Sequence, residues 1–223
     1  QLERNERFIR ATFGRYLSDD IVSEILERPE GMDLGGKLRD VTIMMSDIRG
    51  FTTLSEQLPA DRVVTLLNRH LGAMTDIILQ HEGTIDEFLG DAILAVFGAP
   101  RSQADHPQRA SRCALAMQAA MSALNAANAA EGLPTLRMGI ALNSGRVIAG
   151  NIGSERRSKY GFVGHAMNVT SRIEDVTGGG EILVADSTRR AIGDTFRVGA
   201  RREFSAAGID ERLVAYPLLG PAA

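Results

Sequence analysis

The sequence predicts an α+β fold, because apolar runs of strand length and long helical repeats follow one another in a set order. From residue 40 onward the order is strand, helix, strand, strand, helix, strand. That order is the split βαβ arrangement of a ferredoxin-like sheet. The 223 residues, 44% of them hydrophobic, supply enough apolar material for the core of one such domain. We therefore expect a ferredoxin-like βαββαβ core with a C-terminal extension, preceded by an N-terminal helical segment.

The N-terminal region differs from the rest of the chain, and residues 1–28 are predicted to form a helical connector. Ser18 is a good N-cap, acidic residues follow it in the first turn, and Pro29 would end the helix. Two interpretations remain open, a ragged end or a connector from an upstream regulatory domain. The glycine-containing residues 29–39 are predicted to be a linker, and residues 40–223 the globular domain.

The first half of the globular region predicts one long helix and three strands. Residues 41–45 predict a buried strand, and apolar residues recur at helical spacing over 59–81. Residues 84–89 and 92–97 predict two more strands. The tight Gly-Asp connection between these two strands is a hairpin signal.

The second half begins with an alanine-rich helix predicted over 105–130. Another helix is predicted at about 166–176, where a run of glycines ends it. The Asn-Ser-Gly segment 143–145 is interpreted as a break between strands, and the basic cluster 156–159 as a mobile loop. The strands predicted in this half cover residues 136–142, 147–152, 182–185, 197–204 and 212–218.

Charge and cysteine content exclude some classes of protein. A net charge of −3 gives no reason to expect a nucleic-acid partner. Cys113 is the only cysteine, and its apolar neighbours predict a buried thiol in a reducing, cytoplasmic compartment. No apolar run is long enough to span a bilayer, and no signal peptide is visible. Because the chain begins with Gln1, we expect a fragment, whose parent protein could still be membrane-anchored.

Two short segments carry most of the chemical information, Ser46-Asp-Ile-Arg-Gly-Phe-Thr52 and Asp86-Glu-Phe-Leu-Gly-Asp-Ala92. Taken alone, Asp47 or Asp91 is more simply a turn residue. Together they lie at neighbouring positions of the predicted sheet, where two carboxylates can hold one or two hard divalent cations. The backbone amides of a glycine-containing turn can also cradle phosphate oxygens. The combination predicts chemistry on a nucleoside triphosphate.

With two further segments, Asn143-Ser-Gly-Arg-Val147 and Gly164-His-Ala-Met-Asn-Val-Thr-Ser-Arg172, the sequence resembles the catalytic domain of class III adenylyl and guanylyl cyclases. The similarity extends from about Arg39 to Leu218, and the motifs are highly specific in combination and order. Residues 8–28 also resemble the helical segment that often precedes bacterial cyclase domains. This favours the connector interpretation and an upstream sensor domain.

The resemblance implies roles at a metal and phosphate end of the site. Asp47, Asp91 and the Ile48 carbonyl match the ligands of two Mg²⁺ or Mn²⁺ ions. Arg146 matches an arginine that binds the triphosphate, for which a guanidinium fork is suited. The residues whose amides would hold the β- and γ-phosphates are Arg49, Gly50, Phe51 and Thr52.

The resemblance also implies catalytic and base-selecting residues. Asn168, which would orient the ribose, and Arg172, which would stabilise charge on the α-phosphate, share one helix face. Adenylyl cyclases carry lysine where this chain has Glu87, and usually Asp or Thr where it has Gly161. Guanine offers N1–H and 2-amino donors that a carboxylate accepts, so Glu87 favours GTP. Gly161 has no side chain to bond the guanine 6-oxo group, and ATP remains an alternative.

In this family one site is shared by two chains. Asp47, Asp91, Arg146 and the phosphate turn would come from one protomer, and the base-selecting and catalytic residues from its partner, in a homodimer. One departure is Ala207-Gly208, where family members often carry Lys-Gly, so a non-catalytic nucleotide-binding or dimerisation domain is a further alternative. A diguanylate cyclase is disfavoured, because Gly90-Asp-Ala92 stands where its Gly-Gly-Asp/Glu-Glu-Phe hairpin would be.

Overall fold

The computed structural model describes residues 21–23 and 34–222. Within these residues it confirms the α+β class and the predicted ferredoxin-like core, in a sheet of nine strands. The helices are α1 (Phe51–Gln57), α2 (Ala60–Gln80), α3 (His106–Ala130), α4 (His165–Asp175) and α5 (Asp186–Ile192), followed by a 3₁₀ turn at Gly193–Thr195. The strands are β1 (Gly35–Ile48), β2 (Thr84–Leu89), β3 (Ala92–Phe97), β4 (Met138–Ser154), β5 (Arg157–Val163), β6 (Ile182–Ala185), β7 (Phe196–Val198), β8 (Arg202–Phe204) and β9 (Leu213–Pro221).

The four strands of the predicted core lie side by side in the order β2-β3-β1-β4, each antiparallel to its neighbour. The sheet continues through β6, β9 and β7, while β5 pairs with β4 and β8 with β9. β1 pairs with β4 along its whole length, from Gly35 opposite Asn151 to Ile48 opposite Met138. At the Gly35 end a Cβ on Gly150 would lie 2.1 Å from the Gly35 carbonyl oxygen, so the strands approach too closely there for a side chain.

Apolar side chains cover both faces of the sheet, because alternate residues of a strand point to opposite sides. On one face Met44 and Ile140 pack with buried residues of α2 and α3. On the other face the buried Val41 and Ile43 pack in a cluster with Ala166 and Met167 of α4. The predicted burial of Cys113 is confirmed, and that burial raises the pKa of its thiol to about 12.

The strand β4 is longer than the sequence suggested, because residues 143–145 do not interrupt it. Their polar groups find partners from distant parts of the chain. The Ser144 hydroxyl lies 2.7 Å from that of Thr42, and the Ser144 amide donates to the Thr188 hydroxyl at 2.8 Å. Asn143 donates to the Ala166 carbonyl at 3.0 Å. These hydrogen bonds allow polar residues to continue a buried strand.

Other elements also differ from expectation. The short helices α1 and α5 were not predicted, and the basic cluster 156–159 extends into β5 rather than forming only a loop. Residues 35–39, placed in the linker, begin β1. Within the predicted connector, residues 21–23 are helical and Ile21 and Val22 are buried, while Ser18 and Pro29 lie outside the described residues. None of the helices that the structure describes is long and apolar enough to cross a membrane.

Candidate active site

The structure brings the two motif aspartates to the end of the sheet where β1 ends and β3 begins. Asp91 lies in the turn between β2 and β3, after Gly90, whose φ of 66° is in the left-handed region. The Ile48 amide at the end of β1 donates a hydrogen bond of 2.8 Å to Asp91 Oδ2. Asp47, the residue before Ile48, is therefore close enough for the charge of Asp91 to affect it.

The Asp47 carboxylate lies in a partly buried position beside other charges. Its Oδ1 is 2.5 Å from Arg49 Nη2 but accepts no hydrogen bond of regular geometry. Burial raises the pKa of Asp47, the Arg49 cation opposes that rise, and the negative charges of Asp91 and Asp175 add to it. A bound cation would relieve this repulsion between carboxylates.

This donor set fits a hard divalent cation. Among the described residues no group of three or more His, Cys, Asp or Glu side chains could hold a metal by itself. The carboxylates of Asp47 and Asp91 and the predicted Ile48 carbonyl would provide oxygen ligands, which Mg²⁺ and Mn²⁺ prefer. Mg²⁺ commonly binds through one or two carboxylates and completes its shell with water and substrate phosphates. The site therefore fits a metal that arrives with a nucleotide.

The Arg49 side chain occupies a position that sequence reasoning missed. Its guanidinium contacts the carboxylates of both Asp47 and Glu174, and Glu174 is only 5% exposed. It lies over Gly139, the residue opposite Asp47 on β4, where a Cβ would be 2.9 Å from Arg49 Nε. The sequence did contain one sign of this contact, because Glu174 is a charged residue among the buried positions of α4. The pair links the metal end of β1 to α4.

The predicted phosphate turn connects β1 to α1. Gly50 has φ 72° and ψ 17°, a left-handed conformation that glycine adopts at little cost, and no side chain caps the helix that follows. Phe51 and Thr52 are the first residues of α1, and the Leu54 amide donates to the Gly50 carbonyl at 3.1 Å. The Arg49 amide already donates to the Arg137 carbonyl at 2.8 Å. Phosphate binding therefore stays a prediction for the other amides of the turn, those of Gly50, Phe51 and Thr52.

Arg146 is not beside the two aspartates in one protomer. It lies opposite Asp40, 3.3 Å from its carboxylate, with 71% of its side chain exposed. Asp40 precedes Asp47 by seven positions on β1, a separation of about 23 Å along a strand. The triphosphate role of Arg146 therefore depends on the resemblance alone.

The two predicted catalytic residues lie on α4. Asn168 is exposed, and Arg172 Nη1 is 3.0 Å from Asp175 Oδ2. Asp175 in turn raises the pKa of Asp47, so this end of α4 lies near the metal end of the same protomer.

The two residues predicted to select the base lie on β2 and β5. Glu87 on β2 has a side chain that is 42% exposed, and Gly161 on β5 is buried. Lys159, which sequence reasoning had assigned to a loop, lies on β5 with its Nζ 3.2 Å from Glu87 Oε1. The first selector thus has a basic partner within its own chain.

The departure at Ala207-Gly208 falls in an exposed turn between β8 and β9. Two arginines at the start of this hairpin, Arg201 and Arg202, already pair with carboxylates. Arg201 lies 2.7 Å from Glu203, and Arg202 lies 2.6 Å from Glu181. At these two positions, therefore, each cation that could replace the lysine is already paired with a carboxylate.

With this geometry, comparisons with known proteins identify the class. The family model described as "Adenylate and Guanylate cyclase catalytic domain" matches residues 36–220. The chain belongs to this family, the catalytic domains of class III nucleotidyl cyclases.

Some of the similar proteins are named guanylyl cyclases and others adenylyl cyclases. The structure of the guanylyl cyclase Cya2 is similar with a TM-score of 0.82 and 46% identity, covering 85% of this chain and 96% of that one. The adenylyl cyclase CyaB from P. aeruginosa has a TM-score of 0.80 and 32% identity, covering 83% and 96%. Adenylate cyclase 1 of Rhizobium meliloti is 33% identical over 73% of this chain, which spans only 24% of that relative. Family membership alone therefore leaves GTP and ATP both open.

Proposed function

We propose that the chain is a guanylate cyclase domain that converts GTP to cyclic GMP and pyrophosphate in a homodimer with shared active sites. The observation that carries the choice of GTP is the partly exposed Glu87 carboxylate at the first base-selecting position. A carboxylate accepts hydrogen bonds from guanine N1–H and the 2-amino group, but faces the N1 acceptor of adenine unfavourably. A site built to pair polar edges can reject the wrong base by roughly 10⁴-fold or more.

The reaction joins the ribose 3′-oxygen to the α-phosphorus and breaks the bond from that phosphorus to pyrophosphate, while the proton of the 3′-hydroxyl passes to solvent water. Asp47, Asp91 and the Ile48 carbonyl would hold Mg²⁺ or Mn²⁺, two ions per site. Such ions activate the attacking hydroxyl and neutralise phosphate charge. Asn168 orients the ribose, and the Arg172 guanidinium donates hydrogen bonds to the oxygens on the α-phosphate.

The site shared between protomers is carried over from the family resemblance, and two contacts within this chain bear on it. Asp91 meets β1 through the Ile48 amide, whereas Glu87, four residues earlier, faces Lys159 on β5. Arg172 is paired with Asp175 within its own chain and would have to exchange that contact for substrate. Two copies of this chain would give two complete sites.

The first test is cyclic nucleotide production by the purified chain at high protein concentration with Mn²⁺, comparing GTP with ATP. Cyclic GMP in clear excess is expected. Cyclic AMP in excess would overturn the base assignment and favour the second candidate, adenylate cyclase. If the chain dimerises in solution but makes neither cyclic nucleotide, the non-catalytic alternative is favoured. Ala207 is the specific observation behind that alternative.

The shared site is tested by mixing two inactive variants, Asp91→Ala and Arg172→Ala. Random exchange makes half of the dimers mixed, each with one intact site, so about a quarter of wild-type activity is expected. Each variant mixed with itself is the control. No recovery after verified subunit exchange would contradict a shared site.

A further inference from the structure

The lysine on β5 lies between the first base selector and a buried acid. Lys159 Nζ is 3.2 Å from Glu87 Oε1 and 3.5 Å from Asp86 Oδ1. The Asp86 side chain is only 3% exposed, whereas that of Lys159 is 51% exposed. One carboxylate thus anchors the ammonium from the protein side, and the other lies beside it toward solvent.

Gly161, at the second base-selecting position, leaves space for the side chain of this lysine. The stem of Lys159 passes over Gly161, where a Cβ would be 3.2 Å from Lys159 Cε. A larger side chain at residue 161, such as the Asp or Thr of adenylyl cyclases, would compete for this space. Gly161 therefore removes one polar group from the pocket and lets another take its place.

The electrostatic surroundings keep the ammonium charged. Partial burial disfavours its charge, but the carboxylates of Asp86 and Glu87 outweigh that effect and raise the pKa of Lys159. The sequence has only one other lysine, Lys37, in a chain whose other basic side chains are mostly arginine. A compact ammonium with rotatable donors suits a single carbonyl acceptor better than the flat fork of arginine.

We propose that Lys159 is a specificity-determining residue that donates a hydrogen bond to the 6-oxo group of a guanine nucleotide, while Glu87 accepts from N1–H and the 2-amino group. The proposal rests on the proposed guanylate cyclase function. It supplies the donor for the 6-oxo group that Gly161 cannot provide.

The same pair of charges disfavours adenine. Adenine carries a 6-amino donor where guanine carries its 6-oxo acceptor, so the Lys159 ammonium would face another donor. The adenine N1 acceptor would face the Glu87 carboxylate. Both polar contacts would be mismatched, and unpaired polar groups in a pocket reduce both binding and turnover.

The test compares Lys159→Met, which keeps the stem but removes the charge, with Lys159→Arg and with Lys37→Met as a matched lysine control. Each protein is assayed with GTP, with 6-thio-GTP, whose sulfur is a weak acceptor, and with ITP, which lacks only the 2-amino group. Lys159→Met is expected to lower kcat/KM for GTP by about 10- to 100-fold. Its preference for GTP over 6-thio-GTP should collapse, while its preference for GTP over ITP stays unchanged.

A second readout does not depend on turnover. Binding of 3′-deoxy-GTP and its 6-thio analogue, which lack the attacking hydroxyl, is measured by calorimetry. Lys159→Met should bind both equally, Lys37→Met should match wild type, and Lys159→Arg should retain part of the preference.

The two proposals fail in different ways. If the wild-type chain makes cyclic GMP and Lys159→Met leaves the ratio of kcat/KM for GTP to that for 6-thio-GTP unchanged, only the role of Lys159 is overturned. A wild-type chain that makes no cyclic GMP overturns the guanylate cyclase function. A loss of the GTP to ITP preference in Lys159→Met would show that the lysine only positions Glu87, which also overturns direct reading of the 6-oxo group.

Discussion

The two ends of the candidate site are built in different ways. At the metal end, Asp47, Arg49 and Glu174 have side chains 29%, 26% and 5% exposed, and contacts among three elements fix their places. At the base end, Glu87 and Lys159 are 42% and 51% exposed, and they meet across two strands. Under the proposed function, the charged groups that hold metal and phosphate are partly buried, whereas base selection depends on a pair at the surface.

This difference separates two kinds of change. A substitution at the metal end removes a group that several others depend on, so turnover should fall with either base. A substitution at the base end leaves the reaction intact and changes which nucleotide is used. The variants below test this separation, from the largest expected effect to the smallest.

The largest effect is expected for Asp91→Ala. Losing this carboxylate removes a metal ligand and the acceptor of the Ile48 amide. Cyclic nucleotide production should fall by about 10³-fold or more with either Mg²⁺ or Mn²⁺. Asp91→Asn keeps a hydrogen-bond acceptor for the Ile48 amide but lacks the charge. It should be as inactive as Asp91→Ala, and it should unfold at the same temperature as the wild type. Retained activity in the Asn variant would remove Asp91 from the metal site.

The next effect is expected at the base end, for Glu87→Lys. The variant loses the acceptor for guanine and places a second ammonium beside Lys159, so the ratio of GTP to ATP turnover should fall by about 10²-fold or more. Both nucleotides are compared at subsaturating concentration. Glu155→Lys, in the exposed turn after β4, makes the same charge change as a control. An unchanged ratio would exclude Glu87 as the selector.

A smaller effect is expected for Gly139→Ala, which moves Arg49 without changing any charge. The added methyl would meet the guanidinium at 2.9 Å and displace it from Asp47. Because the cation competes with metal for that carboxylate, removing it should lower the half-saturating Mn²⁺ concentration about 5-fold, equivalent to about 1 kcal/mol. Electron paramagnetic resonance of free Mn²⁺ measures this directly. Gly72→Ala, with open space around it, is the matched control. Weaker Mn²⁺ binding would mean that Arg49 supports Asp47 instead.

No effect on turnover at neutral pH is expected from substituting His70, which lies in α2, a helix that supplies none of the candidate site residues. It is fully buried, and that burial lowers its pKa from 6.5 to about 4. The unfolded chain therefore binds this proton first, and folding stability is lost as the pH falls from about 6.5 toward 4. Between pH 7.5 and 5 the loss is about 2 kcal/mol.

His70→Leu should abolish this part of the pH dependence. Urea unfolding of both proteins at pH 7.5 and pH 5 gives the difference. Equal pH dependence in the two proteins would show that His70 is not the group responsible.

The sequence predicted elements best where local patterns decide them. The bounds of β2, β3 and β6 agree with the strands predicted from apolar runs. β4 was divided in error because Asn143 and Ser144 are polar, and the partners that bury them, Thr42, Ala166 and Thr188, lie far away in sequence. Hydrogen-bond partners that lie so far away in sequence cannot be predicted from a local pattern.

The candidate site divides in the same way. Asp47 and Asp91 could be found because each stands in a recognisable motif, and the structure brings them to one end of the sheet. Glu174 and Lys159 were missed because their importance comes from contacts between α4 and the turn after β1 and between β5 and β2. The roles of Asn168, Arg172 and Arg146 stay predictions, because they concern a substrate and a second protomer.

The full-length pairing of β1 with β4 has a mechanical consequence. Its fourteen residues span about 45 Å, with Gly35 at one end and Asp47 next to the other. A strand hydrogen-bonded to its neighbour along its whole length resists stretching and bending within the sheet. A force applied at Gly35 would therefore reach Asp47 as a tilt of the whole strand pair, as in a lever, with little of the displacement absorbed on the way.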